Sequence, residues 1–290
     1  MPELPEVETM RLQLKRFLVG HDIASVEVKN RKTFQGDENK ILNSKVMGVR
    51  RFGKVLVIDL ANGYSILTHV KLTGQFIYRG PNLPKPQELS KKVTGGVPGP
   101  HTLVIFNLDR NGTLYYNDVR RFGWIRIEKT EDVEKEKFII KLGPEPHVAE
   151  SSAGQALLTL DLFKEILSKT SRAVKVVLMD QEKMGGVGNI YANDALWLSK
   201  VNPKTPAKSL DPKSVKKLYE AIITVLKAGI KYGGASELAF VTPDGTEGNY
   251  QNHTLVYGHE GEPCERCHKA RINKFFLSGR GTYSCPFCQK

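Results

Sequence analysis

The sequence predicts an α+β multidomain chain: an N-terminal helix packed on an antiparallel β-sandwich, then a helical domain, then a C-terminal four-cysteine β-hairpin. Three observations carry this. Between residues 23 and 128 the chain is a succession of short β-branched and aromatic runs, broken by turn dipeptides such as Asn62-Gly63 and Asn111-Gly112. After residue 160 the apolar spacing switches to helical. All four cysteines lie in the last 27 residues, as Cys264-x2-Cys267 and Cys285-x2-Cys288.

Val7, Met10, Leu14, Phe17 and Leu18 recur at helical spacing, with Pro5 suited to the first turn and Gly20 placed to end the helix. Strands are expected within 23–30, 45–60, 64–79, 101–108, 112–117 and 122–128, and short antiparallel strands of this kind build a sandwich or barrel. The stretch 80–100, rich in proline and glycine, reads as a surface loop. Residues 131–160 read as a linker, with 1–130 as the first domain. Helices are expected at 161–169, 172–184, 189–199 and 211–231. The last has Asp211 as N-cap, Pro212 at its first position, and Val215, Leu218, Ile222, Val225 and Leu226 along one face. Gly185-Gly186-Val187-Gly188-Asn189 sits between two of these helices. It lacks the Lys-Ser/Thr of a nucleotide-binding P-loop, but a glycine turn at a helix start can still offer N–H groups to an anion. A tight turn with no ligand is the equal alternative. Residues 233–252 are glycine-rich and weakly patterned, a loop ahead of the final module at 253–290.

The cysteine spacing is that of a two-knuckle zinc site. Each pair chelates from one hairpin, and four thiolates close a tetrahedron without leaving a position for water. Cys264, Cys267, Cys285 and Cys288 are therefore expected to bind one structural Zn2+. His268 is expected to be exposed. Free thiols or disulfides are the other possibility, but cysteines confined to one end are not distributed as in a disulfide-stapled secreted domain. The chain carries 43 Lys and Arg against 31 Asp and Glu over 290 residues, a net charge of +12. So basic a globular protein reads first as a nucleic-acid binder. No apolar run approaches the ~20 residues that span a bilayer, and the acidic N-terminus lacks a signal peptide's layout, so a cytoplasmic location is expected.

The N-terminus reads Met1-Pro2-Glu3-Leu4-Pro5-Glu6-Val7-Glu8. A small second residue predicts trimming of Met1, which leaves Pro2 with a free secondary amine. Such an amine titrates near ~8 rather than the ~10.4 of lysine, so about a tenth is unprotonated at neutral pH and can condense with an aldehyde. Glu3, one peptide bond away, can serve as acid or base. A plain charged helix start explains the same eight residues.

Several collinear motifs decide between these readings. They are Pro2 to Glu6; Gly53-Lys54; His69 and Gly74; Asn117-Asp118-Val119-Arg120-Arg121-Phe122-Gly123; and Leu142 to Pro146. Further on come Asp180-Gln181, Gly188-Asn189-Ile190-Tyr191-Ala192, Val256-Tyr257-Gly258 and Gly279-Arg280-Gly281-Thr282. Together, nearly end to end, they resemble bacterial formamidopyrimidine-DNA glycosylase, of the family shared with endonuclease VIII. Leu4, in place of the Gly typical of endonuclease VIII, favours the first branch.

The resemblance implies a base-excision repair enzyme that removes oxidised purines such as 8-oxoguanine from damaged double-stranded DNA and nicks the abasic site. It implies Pro2 as nucleophile, Glu3 as the acid of sugar opening, Lys54 for β-elimination and Arg280 for δ-elimination. It places Leu72, Arg120 and Phe122 where residues fill the gap left by the extruded nucleotide. His101, Lys175 and Asn189 fall at DNA-contacting positions, and 161–232 becomes a helix–two-turn–helix domain. A monomer, bound to the nucleoid through DNA, is expected. Leu103 stands where a second histidine is usual. The sharpest departure is Gly233-Gly234-Ala235-Ser236-Glu237-Leu238-Ala239-Phe240, where the family has Thr/Ser, Leu, a basic residue and Asp after the glycines. That loop closes over the lesion, so the change leaves open an endonuclease VIII-like preference for oxidised pyrimidines. A non-catalytic damaged-DNA binder is the remaining reading, but it predicts loss of Pro2, Glu3 or Lys54, and all three are present.

Overall fold

The computed structural model describes residues 1–83, 88–148 and 156–290. Its contacts divide the chain into two compact units. One holds Met1–Ile140 with Gly229–Gln251; the other holds residues 141–148 and 156–228 with Asn252–Lys290.

In the first unit, helix α1 (Leu4–Leu18) begins at Glu3, whose backbone N–H donates to Glu6 Oε2 at 2.7 Å in one half of a capping box. Lys15 and Arg16 sit in its last turn, where cations suit the dipole. Val19 leaves the helix in extended geometry. The strands are β1 (Ile23–Val28), β2 (Phe34–Gln35), β3 (Val46–Phe52), β4 (Val55–Leu60), β5 (Tyr64–His69), β6 (Gly74–Arg79), β7 (Thr102–Leu108), β8 (Thr113–Asp118) and β9 (Trp124–Lys129). They form two sheets, ordered β1-β7-β8-β6 and β2-β9-β5-β4-β3, antiparallel throughout except for the pair β2–β9. The predicted runs 45–60 and 64–79 are each two strands. The first is split by the two-residue turn Gly53-Lys54 and the second by 70–73.

One apolar core joins the pieces. Val7, Leu14 and Phe17 of α1 pack with Ile58 and Ile66 of one sheet and Phe76, Phe106 and Tyr116 of the other. Each such side chain contributes about 1.5–3 kcal/mol on burial, so truncating Leu14 to Ala would cost about 2–5 kcal/mol.

The stretch 88–100 is more than a surface loop. Val93 is buried with Ile77 and Val241, and its neighbours bond to residues 236–247. Gln75 Nε2 donates to the Lys92 and Ala239 carbonyls at 2.9 and 2.5 Å, Ser90 N–H to the Gly245 carbonyl at 2.8 Å, and Lys92 Nζ to Glu247 at 2.6 Å. The glycine-rich stretch 233–251 is therefore folded onto the sandwich unit. Residues 84–87, part of the predicted loop, and 149–155, part of the predicted linker, lie outside the described residues. The linker stretch also carries α2 (Lys137–Ile140) and a parallel pairing of β10 (Glu145–Pro146) with β11 (Leu157–Leu158).

The second unit contains α3 (Leu160–Ser168), α4 (Val174–Leu178), α5 (Asn189–Ser199) and most of α6 (Pro212–Lys231). Asp211 accepts the N–H groups of Lys213 and Ser214 at 2.9 and 3.0 Å, capping α6 as its sequence predicts. The expected helix 172–184 is only α4. Gln181 stops it by stapling the following turn, with Nε2 donating to the Met179 and Val187 carbonyls and Oε1 accepting Gly186 N–H. The chain ends in the hairpin β12 (Asn273–Leu277) and β13 (Arg280–Ser284). Among the described residues no helix is long and apolar enough to cross a membrane.

Candidate functional site

The N-terminal residues are interior. Pro2 is buried, Glu3 is 3% exposed and Lys54 is 6% exposed. Lys54, inside the expected strand run 45–60, is instead the second residue of the β3–β4 turn. Gly53 takes φ +53° as the first turn residue, the pattern of a type II′ hairpin.

What seats this turn is a buried ion-pair network. Arg51 donates from Nε to Glu8 Oε2 at 3.0 Å and from Nη1 to the Gly53 carbonyl at 2.9 Å. Glu8 also takes Arg11 Nη2 at 2.7 Å. Burial pushes the Glu8 carboxyl up, but the two guanidiniums outweigh it and hold it below its ordinary value. The same carboxylate thus fixes α1, which follows Pro2 and Glu3, and the turn that bears Lys54. Glu6 adds a second tie, with Oε2 on Glu3 N–H and Oε1 on Ala235 N–H, both at 2.7 Å.

His69 lies in the same field. Burial, with the charges of Lys71 and Lys54, lowers its pKa to about 3, and its Nδ1 accepts Lys71 N–H at 3.0 Å. The ring is neutral at physiological pH, and nearby cations are not neutralised by it.

Leu72, Arg120 and Phe122 occupy two loops at one end of the sandwich, 70–73 and 119–123. Leu72 is half-buried and Arg120 exposed. Phe122 is 55% exposed, with the Arg120 guanidinium 4.7 Å from its ring centroid. His101 is half-exposed where β7 begins, and its carbonyl accepts Asp118 N–H at 3.0 Å. Leu103 is a core residue.

In the second unit, Lys175 and Arg280 line a cavity of about 400 Å3 with Arg172, Met179 and Asp180. Lys175 is 1% exposed, and its ammonium donates to the Gly281 carbonyl at 2.8 Å and Thr282 Oγ1 at 2.7 Å, holding the hairpin turn next to exposed Arg280. Asn189 opens α5 and is half-buried, receiving Asn193 Nδ2 on its carbonyl at 2.6 Å.

The four sulfurs of Cys264, Cys267, Cys285 and Cys288 lie within 4.8 Å of one another. The Cys264–Cys288 and Cys267–Cys285 separations are 3.9 and 3.7 Å. Thiolates at ~2.3 Å from a tetrahedral ion stand about 3.8 Å apart, so this donor set fits a closed metal site. The thiols do not titrate alike: burial and the neighbouring sulfurs push Cys288 up to about 12, whereas hydrogen bonds from the Cys267 and Arg266 backbone help to bring Cys264 down to about 6 despite its burial. His268 is exposed and outside the cluster.

Sequence reasoning missed the parts that hold these groups in place. Glu8 and Arg51 look like a surface helix charge and one of a pair of strand arginines, yet both are buried. Asp118 and Thr73 gave no separate signal. Only the Asn-Asp run before the two arginines marked the place.

The profile of the formamidopyrimidine-DNA glycosylase N-terminal domain matches residues 1–125, and that of the family's H2TH domain matches residues 142–240. Formamidopyrimidine-DNA glycosylase of Pelotomaculum thermopropionicum is 37% identical over all of this chain and 99% of its own length. That of Lactiplantibacillus plantarum is 37% identical over the whole of both. The crystal structure of MutM (Fpg) from Thermus thermophilus superposes with a TM-score of 0.83 at 32% identity, covering 99% of this chain and 98% of that one. Lactococcus lactis Fpg, solved with DNA containing an abasic site, matches at 0.83 and 32% over 99% of both. The chain belongs to the formamidopyrimidine-DNA glycosylase family.

Proposed function

We propose that this protein excises oxidised purines, 8-oxoguanine and formamidopyrimidines, from duplex DNA and then cleaves the strand at the abasic site. The observation that carries the reading is the burial of Pro2 and Glu3 in the unit where Glu8 and Arg51 anchor the Lys54 turn. A solvated helix start has no use for such an arrangement.

The Pro2 amine attacks C1′ of the extruded nucleotide, the C1′–N9 bond breaks, and the base leaves with a proton. Glu3 protonates the ring oxygen as the sugar opens to an iminium. The iminium withdraws electrons from C2′, so loss of a C2′ proton expels the 3′ phosphate. Lys54, a cation beside neutral His69, serves this β-step. Arg280 serves the second elimination, and water then releases Pro2. Arg120 and Phe122 fill the vacated stack, which offsets unstacking worth a few kcal/mol. Lys175 and Asn189 hold the turn and helix start that meet phosphates, with Arg280 and His101 as further DNA contacts. The four thiolates suit zinc, which keeps the hairpin folded and takes no part in bond breaking. The domains are the sandwich, the helix–two-turn–helix region, a lesion-capping loop within 233–252, and the zinc hairpin.

The test is borohydride trapping on duplexes bearing 8-oxoguanine, a formamidopyrimidine or thymine glycol. Trapping on the two purine lesions supports the reading. Trapping on thymine glycol alone would move the protein to an oxidised-pyrimidine specificity, in line with Glu237 and Leu238 in the capping loop. No covalent complex with any duplex would leave only the binder.

A further inference from the structure

We infer that Asp118 and Thr73 form a clamp that assembles the stack-filling residues before any base is extruded. The inference rests on the glycosylase reading and extends it to two positioning residues with no chemical part in it. Asp118 ends β8 and is 0% exposed. Its Oδ1 accepts the Thr73 hydroxyl and the Arg120 N–H, the latter at 3.2 Å, and its Oδ2 accepts the Gly123 N–H at 2.8 Å. Thr73 Oγ1 accepts the Arg120 N–H as well, at 3.1 Å. One buried carboxylate thereby spans both ends of the loop 119–123 and reaches across to the residue after Leu72. Gly74 pairs with Asp118 across β6 and β8, so the two loops leave the same end of one sheet.

The floor beneath the clamp leaves no slack. A Cβ at Gly123 would stand 1.9 Å from the Tyr116 hydroxyl, and one at Gly74 would stand 2.5 Å from it. That hydroxyl is buried and has no hydrogen-bond partner among the described residues. Burial, reinforced by the charge of Asp118, raises the phenol well above its ordinary range, so it stays a neutral spacer. Above the clamp, Arg121 adopts φ +56°, a conformation unfavourable for an arginine, and Phe122 projects into solvent. Side chains that must enter a stack together act faster when the backbones beneath them are already fixed, because less ordering remains to be done on binding. The clamp fixes the backbones of both loops and leaves the side chains of Arg120 and Phe122 exposed.

A role confined to folding would give the same hydrogen bonds, so the test separates the two. Thr73→Val removes the bridging hydroxyl and keeps the shape; Thr73→Ser keeps the hydroxyl. Single-turnover rates are measured on 8-oxoguanine paired with cytosine and on a preformed abasic site, which needs no base extruded, alongside the melting temperature of each variant. The clamp predicts that Thr73→Val slows paired-lesion excision about tenfold, a size typical of a modest misplacement of positioned groups. It also predicts abasic-site cleavage near the parent rate, and recovery in Thr73→Ser. Equal slowing on both substrates, or no slowing on either, overturns it, and so does failure of Thr73→Ser to recover. Asp118→Asn should show the same split more strongly; if it does not fold, the Thr73 pair decides. A parent protein that cleaves neither substrate refutes the glycosylase reading itself and the clamp with it.

Discussion

In the sandwich unit, Lys54 stands on a turn flanked by the buried Phe52 and Val55 and braced by the Glu8–Arg51 pair, over a core drawn from both sheets and α1. In the C-terminal hairpin, Arg280 stands on a two-stranded ribbon. The buried apolar support of that module is Trp197, Val256 and Ile272 with the sulfurs of Cys264 and Cys285. The first unit can seat the Lys54 turn on a packed core and a buried ion pair. The second has too little apolar surface, and an isolated two-stranded ribbon is marginal in water. Position comes there from four sulfurs and from Lys175 pinned to Gly281 and Thr282. The contrast is between a turn seated on a deep protein core and a ribbon supported by a small apolar cluster and four sulfurs.

Chelation of the zinc proposed for the four-sulfur cluster is the largest lever on that contrast, since structural zinc sites contribute on the order of 10 kcal/mol to the fold they close. Chelation should unfold the hairpin and weaken DNA binding by about a hundredfold or more, while the sandwich unit keeps its near-ultraviolet circular dichroism. A hairpin that stays ordered in the metal-free protein would end the distinction between the two regions.

The sandwich has its own weak point. Glu8→Gln leaves Arg51 and Arg11 buried without their carboxylate, and losing one partner of a buried pair costs about 3–5 kcal/mol. The urea midpoint should fall accordingly. Glu8→Leu combined with Arg51→Met should recover stability but not strand cleavage, because the Lys54 turn then lacks its anchor. Recovery of both would show that packing alone positions Lys54.

Much of this organisation could be read from the residues. β-Branched and aromatic runs broken by turn dipeptides gave the sandwich, because such side chains and turns favour extended backbone locally. The cysteine spacing gave the four-sulfur cluster, because chelation from a hairpin fixes sequence separation. Burial of charge could not be read. Glu8 has the same spacing whether it faces solvent or Arg51, and nothing in the spacing of Lys175 shows that its ammonium donates to the Gly281 carbonyl and the Thr282 hydroxyl. The stop of α4 was hidden for a similar reason: Gln181 breaks the helix through side-chain bonds to carbonyls on both sides of the turn, which no propensity records. The stretch 80–100 reads as surface from its prolines and glycines, and the anchoring of its 88–100 part depends on Gln75 and Glu247, far away in sequence.

A smaller effect tests the electrostatics of the sandwich site. His69 has its folded pKa lowered to about 3, against about 6.5 when unfolded. Above pH 6.5 the ring is neutral in both states. As pH falls from there toward 3, the unfolded chain takes up a proton that the folded chain refuses, so stability drops through that window, by at most about 1.4 kcal/mol per pH unit. Urea unfolding at pH 7.5 and pH 5 should show a larger loss for the parent than for His69→Gln. Equal losses would mean that the ring is solvated and that Lys54 and Lys71 do not act on it.

The central claim is that Pro2 forms the covalent bond to DNA while Lys54 assists from its turn. The most direct measurement is reduction with borohydride during turnover on an 8-oxoguanine duplex, followed by proteolysis and mass spectrometry of the DNA-linked peptide. The account predicts the adduct on the N-terminal peptide, at the Pro2 nitrogen of a chain that has lost Met1. An adduct on the peptide containing Lys54, with the N-terminal peptide unmodified, would contradict it.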